Sequence, residues 1–142
     1  MSDLVEVVAS ALNAARTRVN TLSANLANAE TTRTPEGGPY RARHVVQEAA
    51  DMPGSFSEAL DGMTLKRPMV SQIIEDTSEP RKVYQPGHPD ADQQGFVAYP
   101  NINVVSTMTD LMSATRQYQS AVAALDSHRD LRDAASKILT QA

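Results

Sequence analysis

Cysteine and tryptophan are both absent from the 142 residues. Without cysteine there can be no disulfide, thiolate metal site or cysteine nucleophile, although the compartment stays open. Aromatic residues are scarce, namely Tyr40, Phe56, Tyr84, Phe96, Tyr99 and Tyr118, and a thick core normally leans on such side chains. Long apolar runs are missing too. Nothing approaches the roughly 18 residues that span a bilayer, so no membrane span is expected. Asp3 and Glu6 stand at the N-terminus with no Lys or Arg before Arg16, unlike the basic and apolar regions of a signal peptide, so any export should use a route without a cleaved signal. A basic surplus is also lacking. The net charge is −4; residues 1–33 and 101–142 are each neutral, and residues 34–100 set ten acidic side chains against six basic ones. No basic stripe remains for nucleic acid.

The breakers divide the chain. All eight prolines and six glycines fall between Pro35 and Pro100, leaving two breaker-free arms around a broken middle. The length suits one compact domain or one elongated unit.

In the first arm Val5, Val8, Leu12, Ala15, Val19, Leu22, Leu26 and Ala29 recur at steps of three and four. This heptad seam predicts a helix of roughly 45 Å, starting near residue 3 and stopping between Glu30 and Thr34, because Pro35 disfavours helical geometry just before it. Asp3 followed by Glu6 is similar to a capping box. In the second arm Asn101 or Asn103 is the candidate N-cap. Val104, Met108, Leu111, Thr115, Tyr118, Val122 and Leu125 keep the spacing. The phase then slips near His128, and continuation through Leu131, Ala135 and Ile138 or Leu139 implies a stutter. Each arm holds seven alanines, and the small flanks of the seam let neighbours approach from several sides. The arms are expected to pair with each other and leave apolar surface for further copies, with a marginal monomer.

In the middle, "YRARHVV", "SQIIED" and "RKVYQP" are candidate strands, enough for a small β-hairpin module or an extended arm. "EAADMPGSFSEALDGM" (48–63) is expected as a loop. In "PEGGPY" Gly37 and Gly38 predict a tight turn; the segment follows a helix, so it does not read as a phosphate cradle. His44, His88 and His128 are scattered without catalytic spacing. Asp90, Asp92, Gln94 and Gly95 match the opening of a calcium loop, but the twelfth position is Asn101 where a bidentate Glu is needed, so a polar turn is the better reading. No catalytic residue, cofactor or metal is assigned.

Three stretches carry a resemblance. "SANLANAETTRTPEGGPYRAR" (23–43), with its Asn25-Leu26-Ala27-Asn28 core, resembles the end of the N-terminal helix in the bacterial flagellar rod and hook axial family, and the following "TTRTPEGGPYR" resembles its proximal rod members. "PGHPDADQQGFVAYPNINVVSTMTDLM" (86–112) is similar to the family's return segment, and "ATRQYQSAVAALDSHRDLRDAASKIL" (114–139) to its terminal helix. The family commonly has Ala and Asn where this chain has Gln117 and Ala121.

The resemblance implies a mainly α fold: long N- and C-terminal helices (1–34 and 101–142) forming a coiled-coil inner domain, with a β-hairpin or extended insertion (35–100) projecting outward. It implies no enzyme, but a structural subunit of the basal-body proximal rod. Such a subunit is exported through the flagellar type III apparatus and polymerises helically around an export channel, transmitting torque. Partners would be further copies, other rod proteins, the adaptor to the membrane ring and the ring itself. Val5, Val8, Leu12, Val19, Leu22 and Leu26 would pack against Met108, Leu111, Tyr118, Val122 and Leu125. Asn25 and Asn28 would satisfy backbone or neighbouring-subunit groups, and Tyr40 would dock the outgoing strand. The residues alone also fit a soluble helical adaptor outside the flagellum, or a small hydrolase or metal protein using His88, Asp90 and Asp92.

Overall fold

The computed structural model describes residues 2–51 and 66–140, with side chains over 5–51 and 66–138. Helix α1 (Ser2–Ala27) is followed by strands β1 (Arg43–Asp51) and β2 (Lys66–Glu75), then β3 (Arg81–Tyr84) and β4 (Phe96–Tyr99), and finally helix α2 (Val104–Thr140). Each consecutive strand pair forms its own two-stranded antiparallel sheet, β1 with β2 and β3 with β4. The fold is therefore two helices with small β-hairpins between them.

The two helices run antiparallel. Leu22 shares a cleft with Asp110, while Val19 faces Thr115 and Tyr118, so numbers fall along one helix as they rise along the other. Among the seam residues Val8, Leu12, Val19, Leu22 and Leu26 are half-buried, as are Leu111, Tyr118, Val122 and Leu125, whereas Val5 and Met108 are exposed. The fully buried positions are small: Ala14, Ala15 and Ala114. Alanine lets helices touch closely while longer aliphatic groups on either side lie in half-open clefts. Ala114 thus takes the centre of the α2 stripe, next to Thr115 of the sequence pattern, which is half-buried.

Helix α1 ends at Ala27, short of the residues 30–34 expected. The reason is local. Asn28 Nδ2 donates to the carbonyl of Ala24 at 2.9 Å, and the main chain tightens to three-residue bonds, Ala29 N–H to Leu26 and Thr31 N–H to Asn28. Helix α2 begins where Asn103 caps it: its Oδ1 accepts from Ser106 N–H at 3.1 Å and its carbonyl from Thr107 N–H. It then continues through His128 without interruption to Thr140.

A second face of α1 had no hydrophobic signature. Ser10, Ala14, Thr17, Thr21, Ala24 and Asn25 recur at helical spacing and carry the β1–β2 hairpin. Ser10 Oγ donates to the carbonyl of Pro68, Glu6 pairs with Arg67, and Ile73 and Glu75 line a groove with Thr17, Thr21 and Ala24. Thr17 and Thr21 satisfy their hydroxyls on carbonyls one turn back, 3.0 and 2.9 Å away. Glu6 thus engages the hairpin, while the side chain of Asp3 lies outside the described residues. The hairpin register shifts between Val46 and Gln47, and β1 continues to Asp51, so residues 48–51 are strand and not loop. The rest of the expected loop, 52–63, lies outside the described residues. Strand β4 was not foreseen in "FVAY", a run too short to separate from its turn-rich surroundings.

Candidate functional site

A cluster of buried residues lies where α1 hands over to the strands. Asn25 and Ala29 from the helix end, Ala42 ahead of β1, and Val97 and Pro100 around β4 are all buried, the last two almost completely. Asn25 is the polar centre. Its Nδ2 donates to the carbonyl of Arg43 at 2.8 Å, and its Oδ1 accepts both the Arg43 N–H at 2.9 Å and the Tyr40 hydroxyl at 3.0 Å. A primary amide presents one donor and one acceptor side by side, as a peptide group does, so Asn25 pairs with Arg43 like a neighbouring strand. Burial raises the Tyr40 hydroxyl above the usual phenol range against the opposing pull of Arg43, which keeps it protonated and able to donate.

Asn28 acts one turn further on. Besides its bond to Ala24, its Oδ1 accepts from Thr31 Oγ1 at 3.1 Å. Tyr40 N–H then returns to the Thr31 carbonyl at 3.0 Å, closing the segment into a loop. Inside that loop Gly37 and Gly38 take φ of 93° and 76°, which side chains with a Cβ avoid, and Thr34 N–H bonds the Gly38 carbonyl at 2.9 Å. Tyr40, Asn28, Arg43 and Glu75 border a polar hollow of about 490 Å³. Each of them is already engaged in the fold, Arg43 and Glu75 by an ion pair at 3.1 Å.

The β3–β4 hairpin is tied to this junction by Asp90, which accepts from Thr32 Oγ1 at 2.7 Å and pairs with Arg33. The Thr32 bond, with Arg33 nearby, holds its carboxyl below the usual range. Asp92 closes the hairpin loop instead, its Oδ1 accepting from the N–H groups of Gln94 and Phe96, both at 2.9 Å. The two carboxylates that suggested a calcium loop therefore point to different partners, and no group of three His, Cys, Asp or Glu suited to a metal occurs among the described residues. His44 is exposed on β1 and His128 half-buried on α2, whereas His88 Nδ1 accepts from Asp90 N–H at 3.1 Å. The three histidines stand on separate elements.

An exposed helix end forms the other part of the site. Beyond His128 every described side chain of α2, residues 129–138, is exposed. Leu131 and Ile138 stand at 72% and 70% exposure, and at the other end of the same helix Met108 stands at 50%. Gln117 is exposed and Ala121 half-buried. No helix among the described residues is long and apolar enough to cross a membrane.

Comparison with known proteins bears on both parts. Residues 6–33 match the family model described as flagella basal body rod protein. Residues 93–138 match the one described as flagellar basal body rod FlgEFG protein C-terminal. The flagellar basal-body rod protein FlgC of Yersinia enterocolitica is 37% identical over 129 residues, 91% of this chain and 90% of the relative. Its counterpart in Borreliella burgdorferi is 34% identical over 144 residues, covering 95% of each. That of Bacillus subtilis is 37% identical over 137 residues, covering 89% and 90%.

Proposed function

The chain belongs to the FlgC family of flagellar basal-body rod proteins, and from that premise we propose how a structural rod subunit of this shape works. Residues 1–34 and 101–142 form an inner domain whose helices join those of neighbouring copies and of other rod proteins in coiled-coil contacts. Residues 35–100 form the outer sleeve. Copies add helically around a central export channel, connect through an adaptor to the membrane ring, and pass torque outward from the periplasmic base. The subunit reaches that place unfolded through the type III apparatus, without a cleaved signal, and its role is mechanical and not enzymatic. A soluble adaptor outside the flagellum is not favoured by these relatives.

The observation that carries this reading is the bare end of α2. Residues 129–138 extend beyond the cover of α1 with Leu131 and Ile138 outward, and two paired helices cannot hide that stripe. Val8, Leu12, Val19, Leu22 and Leu26 on α1 and Leu111, Tyr118, Val122 and Leu125 on α2 are only half-buried, and Val5 and Met108 are exposed, so the same seams have room for a neighbour's side chains. Contacts between unlike surfaces that do not close on themselves generate a tube.

The test introduces Leu131→Asp together with Ile138→Asp. Both positions are exposed in the protomer, so circular dichroism of the purified chain should not change. Incorporation into isolated basal bodies and swimming should be lost. A doubly substituted chain that assembles at the normal level would refute the assembly role of this helix end.

A further inference from the structure

The β3–β4 hairpin has two unlike faces. Alternation along the strands turns Val83 and Val97 inward, Val97 being fully buried. Lys82 and Tyr84 on β3 and their cross-strand partners Ala98 and Phe96 share the opposite face. That outer face should be polar on a small hairpin at the surface. Instead it carries two of the chain's six aromatic residues. The rings meet edge to face with centroids 5.4 Å apart, and remain 63% and 38% exposed.

The platform is rigid. Gly95 has a φ of 84°, and a Cβ there would come within 2.9 Å of the Tyr84 ring and 3.2 Å of Pro86. The main chain therefore lies directly against the ring and fixes its position. Lys82 stands exposed beside it with no ion pair among the described residues.

A complementary feature exists on the same chain. The turn after α1 projects Pro35 and Glu36, both exposed, and Glu36 likewise has no ion pair among the described residues. The turn is closed by bonds from Gly37 N–H to the Thr34 carbonyl at 3.0 Å and from Thr34 N–H to Gly38 at 2.9 Å. A proline ring is a good occupant for an aromatic face, and a carboxylate beside it matches the free ammonium of Lys82. Both features being ordered in advance, little entropy is lost when they meet.

We propose that the outer face of the β3–β4 hairpin docks a second copy of this chain through that copy's Pro35–Glu36 turn, with Pro35 on the Tyr84–Phe96 pair and Glu36 against Lys82. The proposal rests on the rod reading and names one lateral contact within it. Turn and platform are exposed in the protomer, so the contact forms between copies. Being different surfaces, they make a heterologous contact that can continue from copy to copy.

Charge reversal tests it in motile cells carrying the full-length chain. Lys82→Glu and Glu36→Lys should each lower the amount of chain in isolated basal bodies about three- to five-fold, the range of an exposed ion pair turned repulsive. Combined in one chain, they should restore it to within about two-fold of the unaltered protein. Tyr84→Ser should lower it about ten-fold, as loss of an aromatic anchor does. Single variants at the normal level, or a double variant as poor as the singles, would overturn the proposal. So would a Tyr84→Ser defect without charge coupling, which would give the face to a different protein. An unaltered chain missing from basal bodies would instead defeat the rod reading beneath it.

Discussion

Helix α1 and the last third of α2 both place aliphatic residues at helical spacing, and their surroundings are opposite. Helix α1 is covered on two sides, by α2 along its aliphatic seam and by the β1–β2 hairpin along Ser10, Ala14, Thr17, Thr21 and Asn25. The end of α2 is covered on none, with Leu131 and Ile138 in the open. Apolar content therefore does not decide what is buried within this subunit. Between the helices small size does, with Ala14, Ala15 and Ala114 buried and the larger seam groups half covered or bare; at the junction Ala29 and Ala42 are buried with Asn25, and Val97 and Pro100 are the larger side chains fully enclosed. A protein organised this way holds its parts in position by a few directed bonds and keeps much of its hydrophobic surface for contacts beyond itself.

The contrast breaks most easily at Asn25. Asn25→Leu removes partners from the Arg43 N–H, the Arg43 carbonyl and the Tyr40 hydroxyl together. Leaving buried polar groups unpaired costs about 1–3 kcal/mol each, so a loss of about 3–5 kcal/mol is expected in urea unfolding followed by far-ultraviolet dichroism. Tyr40→Phe, which removes one of the three bonds, should cost about 1 kcal/mol. Similar losses for the two variants would mean that Asn25 is not the centre of the junction.

Leu22→Asp acts on the seam. The introduced carboxylate would enter the cleft that holds Asp110, adding like-charge repulsion to lost apolar contact, together about 2–3 kcal/mol. Helix content should fall and motility should be abolished. An unimpaired swimmer would show that the two helices need not pair. A smaller effect, about 1–3 kcal/mol, is expected for Gly95→Ala, which must strain a φ of 84° and displace the Tyr84 ring. Amide exchange should then speed up across β3 and β4 while α1 and the β1–β2 hairpin stay protected.

What could be read from the sequence follows the same division. The aliphatic seam was legible because Val8, Leu12, Val19 and Leu22 recur at helical spacing; the helix stop was placed too late, because Asn28 ends α1 at Ala27 before the proline and glycines can act. The second face of α1 was not legible, since Ser10, Thr17 and Thr21 carry no hydropathy signal. Their spacing of small and hydroxyl residues could have marked it. The N-cap pattern narrowed to Asn101 or Asn103, and only geometry selects Asn103. Periodicity also carried the stripe past His128 through Leu131 and Ile138, but spacing says only that a helix has an apolar side, and nothing about whether the cover comes from the same chain. Asn25 was singled out by family resemblance; its bonds to Arg43 span 18 residues, beyond any local pattern. The link from Thr32 to Asp90 spans 58.

That link supplies the smallest and most local of the effects. The Asp90 carboxyl is held below its ordinary value of 3.8, first by the Thr32 hydroxyl and then by Arg33. A carboxyl whose value is lowered by folding contributes stability that is present above the unfolded value and disappears as pH falls through the folded one. Acidification below about 3.8 should therefore release the β3–β4 loop from the turn at Thr32 and Arg33 before α1 separates from the β1–β2 hairpin, since no titrating group enters the Asn25 bonds under acid. Amide resonances of Thr32, Arg33 and Asp90 should move together in that range. Asp76 is lowered as well, mainly by the Ser78 N–H, so the discriminating sample is Asp90→Asn. It should lose the concerted step at Thr32 and Arg33 while keeping the change around Ser78. If the step survives in that variant, a group other than Asp90 drives it; if the unaltered chain shows no step at all, the hairpin is held by the packing around Val97 and Pro100, and the junction is a hydrophobic lock in place of the polar one its bonds describe.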